Sequence, residues 1–268
     1  MHDNRLLVEA RIQRFMTERL AAQLYREAVP LRVEAWACPD EPVPCSEAML
    51  QQFEPFDVGG AWGLPWGTTW FRFSAQVPAD WAGKYDGGAR LGREGSVGLP
   101  AGEVDGAARL EAVIDLGCTS LLPGFQAEGM AYRPDGSIIK GIESLNMHVP
   151  LAPGADGRIE FYVEAASNPN VADGFLFAPT PLGDKATAGS EPQNVLARAD
   201  LALLDMQVWE LTQDFRTLDG LMRELPGDLP RRHEILRALE RALNAADPQD
   251  LTSTASAVRA CLAEVLSA

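Results

Sequence analysis

Residues 56–81 read FDVGGAWGLPWGTTWFRFSAQVPADW and hold four of the six tryptophans of the chain, Trp62, Trp66, Trp70 and Trp81. From Thr69 the run alternates. Thr69, Phe71, Phe73, Ala75 and Val77 fall on one side and Trp70, Arg72, Ser74 and Gln76 on the other, the period-two signature of a half-buried strand. Pro78 ends it. Upstream, Gly59, Gly60, Gly63, Pro65 and Gly67 impose a loop, so Trp62 and Trp66 either fold back on the sheet edge or stand on a surface. The segment is therefore core or binding platform, and Trp62, Trp66 and Trp70 are the candidate sugar-stacking residues if it is a platform.

Working outward, residues 4–28 lack Gly and Pro and repeat apolar residues at Val8, Ile12, Phe15, Leu20 and Leu24, which predicts an amphipathic helix stopped by Pro30. Residues 31–36 alternate as a short strand. Further strands are expected at 110–116, around 120–123, at 128–132, 147–151, 158–165 and 195–204. Arg133-Pro134-Asp135-Gly136 is a turn in which Pro presets the first corner and Gly accepts a positive φ, joining two strands as a hairpin. The glycine-rich stretch 83–108 has no strand-then-helix context and no Lys-Ser/Thr, so it reads as an irregular insertion rather than a phosphate cradle. The span 178–192, rich in Pro and Gly, reads as a loop.

Composition changes near Asp205. Val208, Leu211, Phe215, Leu218, Leu221 and Met222 recur at helical spacing behind Asp205 as N-cap, and two more helices follow to Leu266. Short strands without alternating helices, then a run of helices, predict an α+β chain. The expected fold is an antiparallel β-sandwich, jelly-roll-like or galactose-binding-like, with an N-terminal helix and a C-terminal three-helix segment. The domain reading is residues 1–30 for the helix, 31–204 for the sandwich and 205–268 for the helical segment.

A formal net charge of −15 argues against nucleic acid as partner, since phosphate binding needs clustered Lys and Arg. No apolar run approaches the roughly 20 residues that span a bilayer, and the N-terminus lacks the apolar core of a signal peptide, so a cytoplasmic protein without membrane contact is expected. Cys38, Cys45, Cys118 and Cys261 are irregularly spaced and read as buried or free thiols. His2, His148 and His233 form none of the usual zinc patterns, and Gly-x-Ser-x-Gly is absent. Glu160 and Glu164 are the one carboxylate pair resembling a glycosidase acid pair, against the plainer reading of a solvated strand face. Taken by themselves, the residues yield no catalytic position and no metal or cofactor site.

Several short motifs occur in one order: Pro65-Trp66-Gly67-Thr68-Thr69-Trp70-Phe71, then Val77 to Trp81, then Phe161-Tyr162-Val163-Glu164-Ala165-Ala166-Ser167-Asn168. After them come Arg198-Ala199-Asp200-Leu201, Asp214-Phe215 with Leu218, and Arg223-Glu224-Leu225-Pro226. This series resembles the N-terminal region of cytosolic and vacuolar-type α-mannosidases of glycoside hydrolase family 38, and it departs from them across 83–108. The resemblance implies a non-catalytic N-terminal domain of a zinc-dependent retaining α-mannosidase, with the catalytic domain and its zinc motif expected to follow the helices. Zinc is thus expected in that domain and no cofactor in this chain. The implied partners are the chain's own catalytic domain, further copies of the subunit, and a mannoside met through the whole enzyme. A carbohydrate-binding module is the rival reading.

Overall fold

In the computed structural model the described residues are 4–85, 108–118, 126–169 and 189–266. The strand expected around 120–123, most of the 83–108 insertion and most of the 178–192 loop lie outside them. The chain divides into two compact units. One comprises the residues up to Glu27, Ala108 and Arg109, and those from Leu203 onward, and the other begins at Ala28 and ends at Ala202.

The second unit is built on strands β1 (Tyr25–Pro30), β2 (Arg32–Ala37), β3 (Glu54–Phe56), β4 (Ala61–Trp62), β5 (Thr68–Gln76), β6 (Arg109–Asp115), β7 (Glu128–Tyr132), β8 (Ile138–Ile142), β9 (His148–Pro150), β10 (Arg158–Ala166), β11 (Asn194–Val195) and β12 (Arg198–Leu204), of which β1, β6 and β12 begin or end in the other unit. They form a six-stranded sheet of order β3-β2-β5-β10-β7-β8, a four-stranded sheet of order β1-β12-β6-β9 and a two-stranded ribbon of β11 and β4. All the pairings with a described register are antiparallel. The expected antiparallel jelly-roll sandwich is what the chain adopts.

β5 is central in its sheet, with Phe73 facing Val33 of β2 on one side and Phe161 of β10 on the other. The inward aromatic set follows from that register. Phe161 stacks on Phe73 at 5.1 Å, and Phe73 on Phe71 at 5.9 Å. Phe56 and Trp62 meet Phe71 edge-on at 5.5 and 5.4 Å. Each fully buried ring of this kind contributes about 1.5–3 kcal/mol.

The opposite face of β5 departs from the half-buried expectation. Residues 38–53 fold over it, carrying the short helix α3 (Cys45–Ala48), and Trp70 is buried in a cluster with Ala48, Phe53 and Tyr162. Farther along, that face becomes polar: Glu34 is buried and accepts a hydrogen bond from Arg72 at 2.7 Å, and Arg72 lies over the Phe53 ring. The hairpin expected at 133–136 forms as read. Gly136 takes φ +82°, its N–H donates to Arg133 O at 2.9 Å, and the Ser137 N–H donates to Asp135 Oδ1 at 2.9 Å.

The first unit is helical. Its N-terminal helix runs as α1 (Arg5–Arg14), a π-helical turn Phe15–Leu20, and α2 (Ala21–Gln23). It stops short of the expected Ala28, because Tyr25–Pro30 extend instead into β1 beside β12. Pairing with a strand far along the chain overrides a local pattern that contains no helix breaker before Pro30. Helices α4 (Met206–Glu224), α5 (Pro230–Ala245) and α6 (Leu251–Leu266) bury their apolar stripes against Val8, Ile12, Phe15 and Leu20, with Phe15 against Phe215 at 5.2 Å.

Asp205 ties this unit together. Its carboxylate caps α4 by accepting from the N–H groups of Gln207 and Val208 at 2.9 and 3.1 Å, and it also accepts from Arg26 and from the Thr252 hydroxyl, each at 2.6 Å. Burial alone would raise this carboxyl, but the hydrogen bonds from Arg26, Thr252 and Val208 outweigh it and hold it below the ordinary carboxylate range. Asp205→Ala removes the cap and two charge-assisted bonds, and is expected to lower the free energy of unfolding in urea by about 3 kcal/mol. Because the folded-state pKa is depressed, the Asp205 contribution is full above the ordinary Asp range and is lost as pH falls through the folded value. The gap between wild type and Asp205→Ala should accordingly narrow at acid pH.

Candidate functional site

The chain reverses just before β5 through Leu64-Pro65-Trp66-Gly67. The Gly67 N–H donates to Leu64 O at 2.8 Å, closing a turn with Pro at the first corner and Trp66 at the second. Trp66 has φ +61°, the one positive φ at a non-glycine among the described residues. Proline first and positive φ second mark a type II turn, whose second corner favours Gly or Asn. A bulky residue there strains the backbone by about 1–2 kcal/mol.

Hydrogen bonds from two other segments hold the strained turn. The Trp66 N–H donates to Ser167 O, and the Ser167 N–H donates back to Gly67 O, both at 2.9 Å. The Ser167 hydroxyl donates to Gly63 O at 2.9 Å and accepts from the Asn194 side-chain amide at 2.8 Å. Gly63 sits at φ +76°, and a Cβ there would come within 2.6 Å of Ser167, so both its backbone and its neighbour require glycine. Such over-determination is what allows a strained residue to persist.

The three candidate tryptophans part company. Trp62 is 3% exposed, donates its indole N–H to Leu116 O at 2.9 Å and abuts Phe71. Trp70 is 0% exposed and packs on Tyr132 at 5.4 Å, with no hydrogen-bond partner for its indole nitrogen. Buried rings offer no face to a ligand, so the three-tryptophan platform does not form. Trp66, at 41% exposure, is the one of the three that reaches solvent.

Beside the turn lies a cleft of about 380 Å³ whose lining includes Cys38, Trp62, Leu64, Gly67, Thr68 and Thr69, and no charged residue. Trp66 stands between Leu64 and Gly67, both of which line the cleft. The buttress of Ser167 and Asn194 was not singled out from sequence. Gly-Leu-Pro-Trp-Gly signals the turn, but nothing local signals which distant polar groups hold it.

The other titratable groups among the described residues form no catalytic constellation. Glu160 and Glu164 lie four residues apart on one face of β10, about 13 Å along the strand, beyond the separation of either glycosidase geometry. Each is engaged, Glu160 with Arg158 and the Tyr162 hydroxyl, Glu164 with the Tyr132 hydroxyl at 3.1 Å. Burial, then Glu164, pushes the Tyr132 phenol up to about 12, and the same two causes raise the Cys45 thiol, so neither is a ready nucleophile. Lys140 reaches Asn146 Oδ1 at 2.5 Å and His148 Nε2 at 3.3 Å. Burial, then the Lys140 charge, drops the His148 imidazole to about 4. His233 lies on α5. None of the four cysteines is in a disulfide, and no group of three or more His, Cys, Asp or Glu among the described residues is placed to hold a metal ion.

Residues 29–86, which contain β2 to β5 and the Trp66 turn, match the family model described as the α-mannosidase jelly roll domain. Over 238 residues the chain is 26% identical to human α-mannosidase 2C1, a match covering 85% of this chain and 19% of that protein. The yeast α-mannosidase of Saccharomyces cerevisiae is 24% identical over 214 residues, covering 78% of the chain and 16% of the relative. The chain thus spans less than a fifth of the length of the curated relatives it matches. No helix among the described residues is long and apolar enough to cross a membrane.

Two outcomes follow for this jelly roll domain. Trp66→Gly should be more stable than Trp66→Ala by about 1 kcal/mol in urea unfolding, the reverse of the order at ordinary strand positions, because only glycine is at ease at φ +61°. The His148 pKa is lowered to about 4 in the fold, so its contribution is full above the unfolded imidazole value of about 6.5 and is lost as pH falls to about 4. His148→Gln should flatten the loss of thermal stability across that window.

Proposed function

We propose that the chain is a non-catalytic N-terminal domain of a zinc-dependent retaining α-mannosidase that hydrolyses terminal α-mannosides. In this reading it serves as scaffold and subunit contact for the catalytic domain of a cytoplasmic enzyme. The observation that carries the reading is the jelly roll match at residues 29–86 within an alignment that takes in most of this chain but less than a fifth of each α-mannosidase. Nothing in the described residues supplies the acid pair or the metal ligands such hydrolysis requires. Zinc fits no group of side chains among the described residues. What they provide is a β-sandwich and a helical unit, and a scaffold role needs no reactive group from either.

A release assay with an aryl α-mannoside tests the proposal. The chain alone should give no turnover with added zinc. A polypeptide that continues through the following coding sequence should hydrolyse the mannoside and lose that activity to a chelator. Chelator-sensitive turnover by this chain alone, or a continuation without mannosidase activity, would overturn the proposal.

A further inference from the structure

We propose that Lys140, where β8 meets β9 at one edge of the sandwich, is a modification site that takes an acyl group from an uncharged thioester. The inference is independent of the α-mannosidase reading.

The way the chain uses cations sets Lys140 apart. Of its 23 Lys and Arg residues three are lysines, Lys84, Lys140 and Lys185. Lys84 is exposed and pairs with Asp80 at 3.9 Å, and Lys185 lies outside the described residues. Lys140 is half-buried and hydrogen-bonds to two neutral groups, Asn146 Oδ1 at 2.5 Å and His148 Nε2 at 3.3 Å. Since β8 is the last strand of the six-stranded sheet and β9 the last of the four-stranded sheet, the contact between Lys140 and His148 joins the edge strands of the two sheets.

Elsewhere on the strands the cations meet carboxylates: Arg72 with Glu34, Arg158 with Glu160, Arg198 with Asp200. A carboxylate keeps its partner charged, and arginine does not shed its proton in any case. Lysine does so readily when buried, and neutral acceptors fix its amine in place without favouring the charged form as a carboxylate would. Two carboxylates also act on Lys140. Glu111 on β6 is buried, and Glu143, just after β8, accepts from the Leu145 N–H at 2.9 Å and the Ser144 hydroxyl at 3.3 Å. Their charges favour the ammonium, but burial outweighs them and holds the amine below the ordinary lysine range. His148, held at about 4, is neutral at neutral pH.

A neutral primary amine attacks activated carbonyls. In this step the Lys140 Nζ lone pair adds to the thioester carbonyl carbon. The N–C bond forms, the C–S bond breaks, and the sulfur leaves with the electron pair. The surplus proton on nitrogen passes through solvent to the thiolate. The products are an amide on Lys140 and a free thiol, so the amine is consumed and the site is one of modification, not catalysis. The net charge of −15, with Glu111 and Glu143 acting on the amine, disfavours anionic donors such as acyl phosphates.

The test follows acetylation by the thioacetate of N-acetylcysteamine, an uncharged thioester, site by site with peptide mass spectrometry near neutral pH. Lys84 is the internal reference. Lys140 should react about threefold or more faster than Lys84, and its rate should level off at a lower pH, because more of its amine is neutral. In denaturing urea the two should react alike. Glu143→Gln, which keeps an acceptor for Leu145 and removes a charge that favours the ammonium, should speed Lys140 by about twofold and leave Lys84 unchanged. A rate at Lys140 equal to or below that at Lys84, a preference that survives in urea, or a failure of Glu143→Gln to speed the reaction overturns the site. Acetyl phosphate should favour Lys140 over Lys84 less than the thioester does, and the reverse order overturns the choice of an uncharged donor.

Discussion

The sandwich depends on β5 being held on both edges and covered on both faces. Its backbone pairs with β2 and β10 over most of its length, and its side chains are buried inward at Phe71 and Phe73 and outward at Trp70. A one-residue slip in either pairing would exchange those two sets, moving Trp70 into the sandwich and Phe71 and Phe73 beneath residues 38–53. Neither layer could accept the exchange at native packing density, so the register is strongly specified. The direction in which the chain enters β5, and with it the position of the preceding turn, is set by the same constraint.

The turn shows how that rigidity is used. Ser167 follows directly on β10, the strand paired with β5, and Asn194 lies on β11, the strand paired with β4. The two residues meet over Gly63 because their strands are already in register with the segments on either side of the turn. Strain at Trp66 of about 1–2 kcal/mol is small against the burial energy of the surrounding aromatic core. A less well-packed sheet would relax the turn and lose the outward setting of the ring.

In the helical unit a single buried carboxylate has the comparable place. Asp205 was legible as an N-cap, since it precedes the first residue of an apolar helical stripe, and the cap forms. Its bonds to Arg26 and Thr252 were not legible, because those residues are 179 and 47 positions away and carry no local signal. The same limit explains the N-terminal helix. Its amphipathic pattern was correct through Gln23, but Tyr25–Pro30 is a strand only because β12 lies beside it.

The class of fold is legible in local signals of the sequence, which also carry the resemblance to α-mannosidases. Period-two alternation named β5 and β10, the Pro-Asp-Gly turn named a hairpin, helical spacing named α4 to α6, and the ordered motifs pointed to the α-mannosidases. Each of these signals is local, or a series of local signals in order. Which aromatic rings are covered depends on packing between distant segments. Alternation places Trp70 and Phe71 on opposite sides of a strand, but whether a side is wet depends on what lies over it. Here the cover for Trp70 comes from residues 38–53, and the cover for Trp62 includes Leu116. Trp66 is left outside because its turn is bound through the backbone, by groups that arrive from far along the chain and never touch its ring by hydrogen bond.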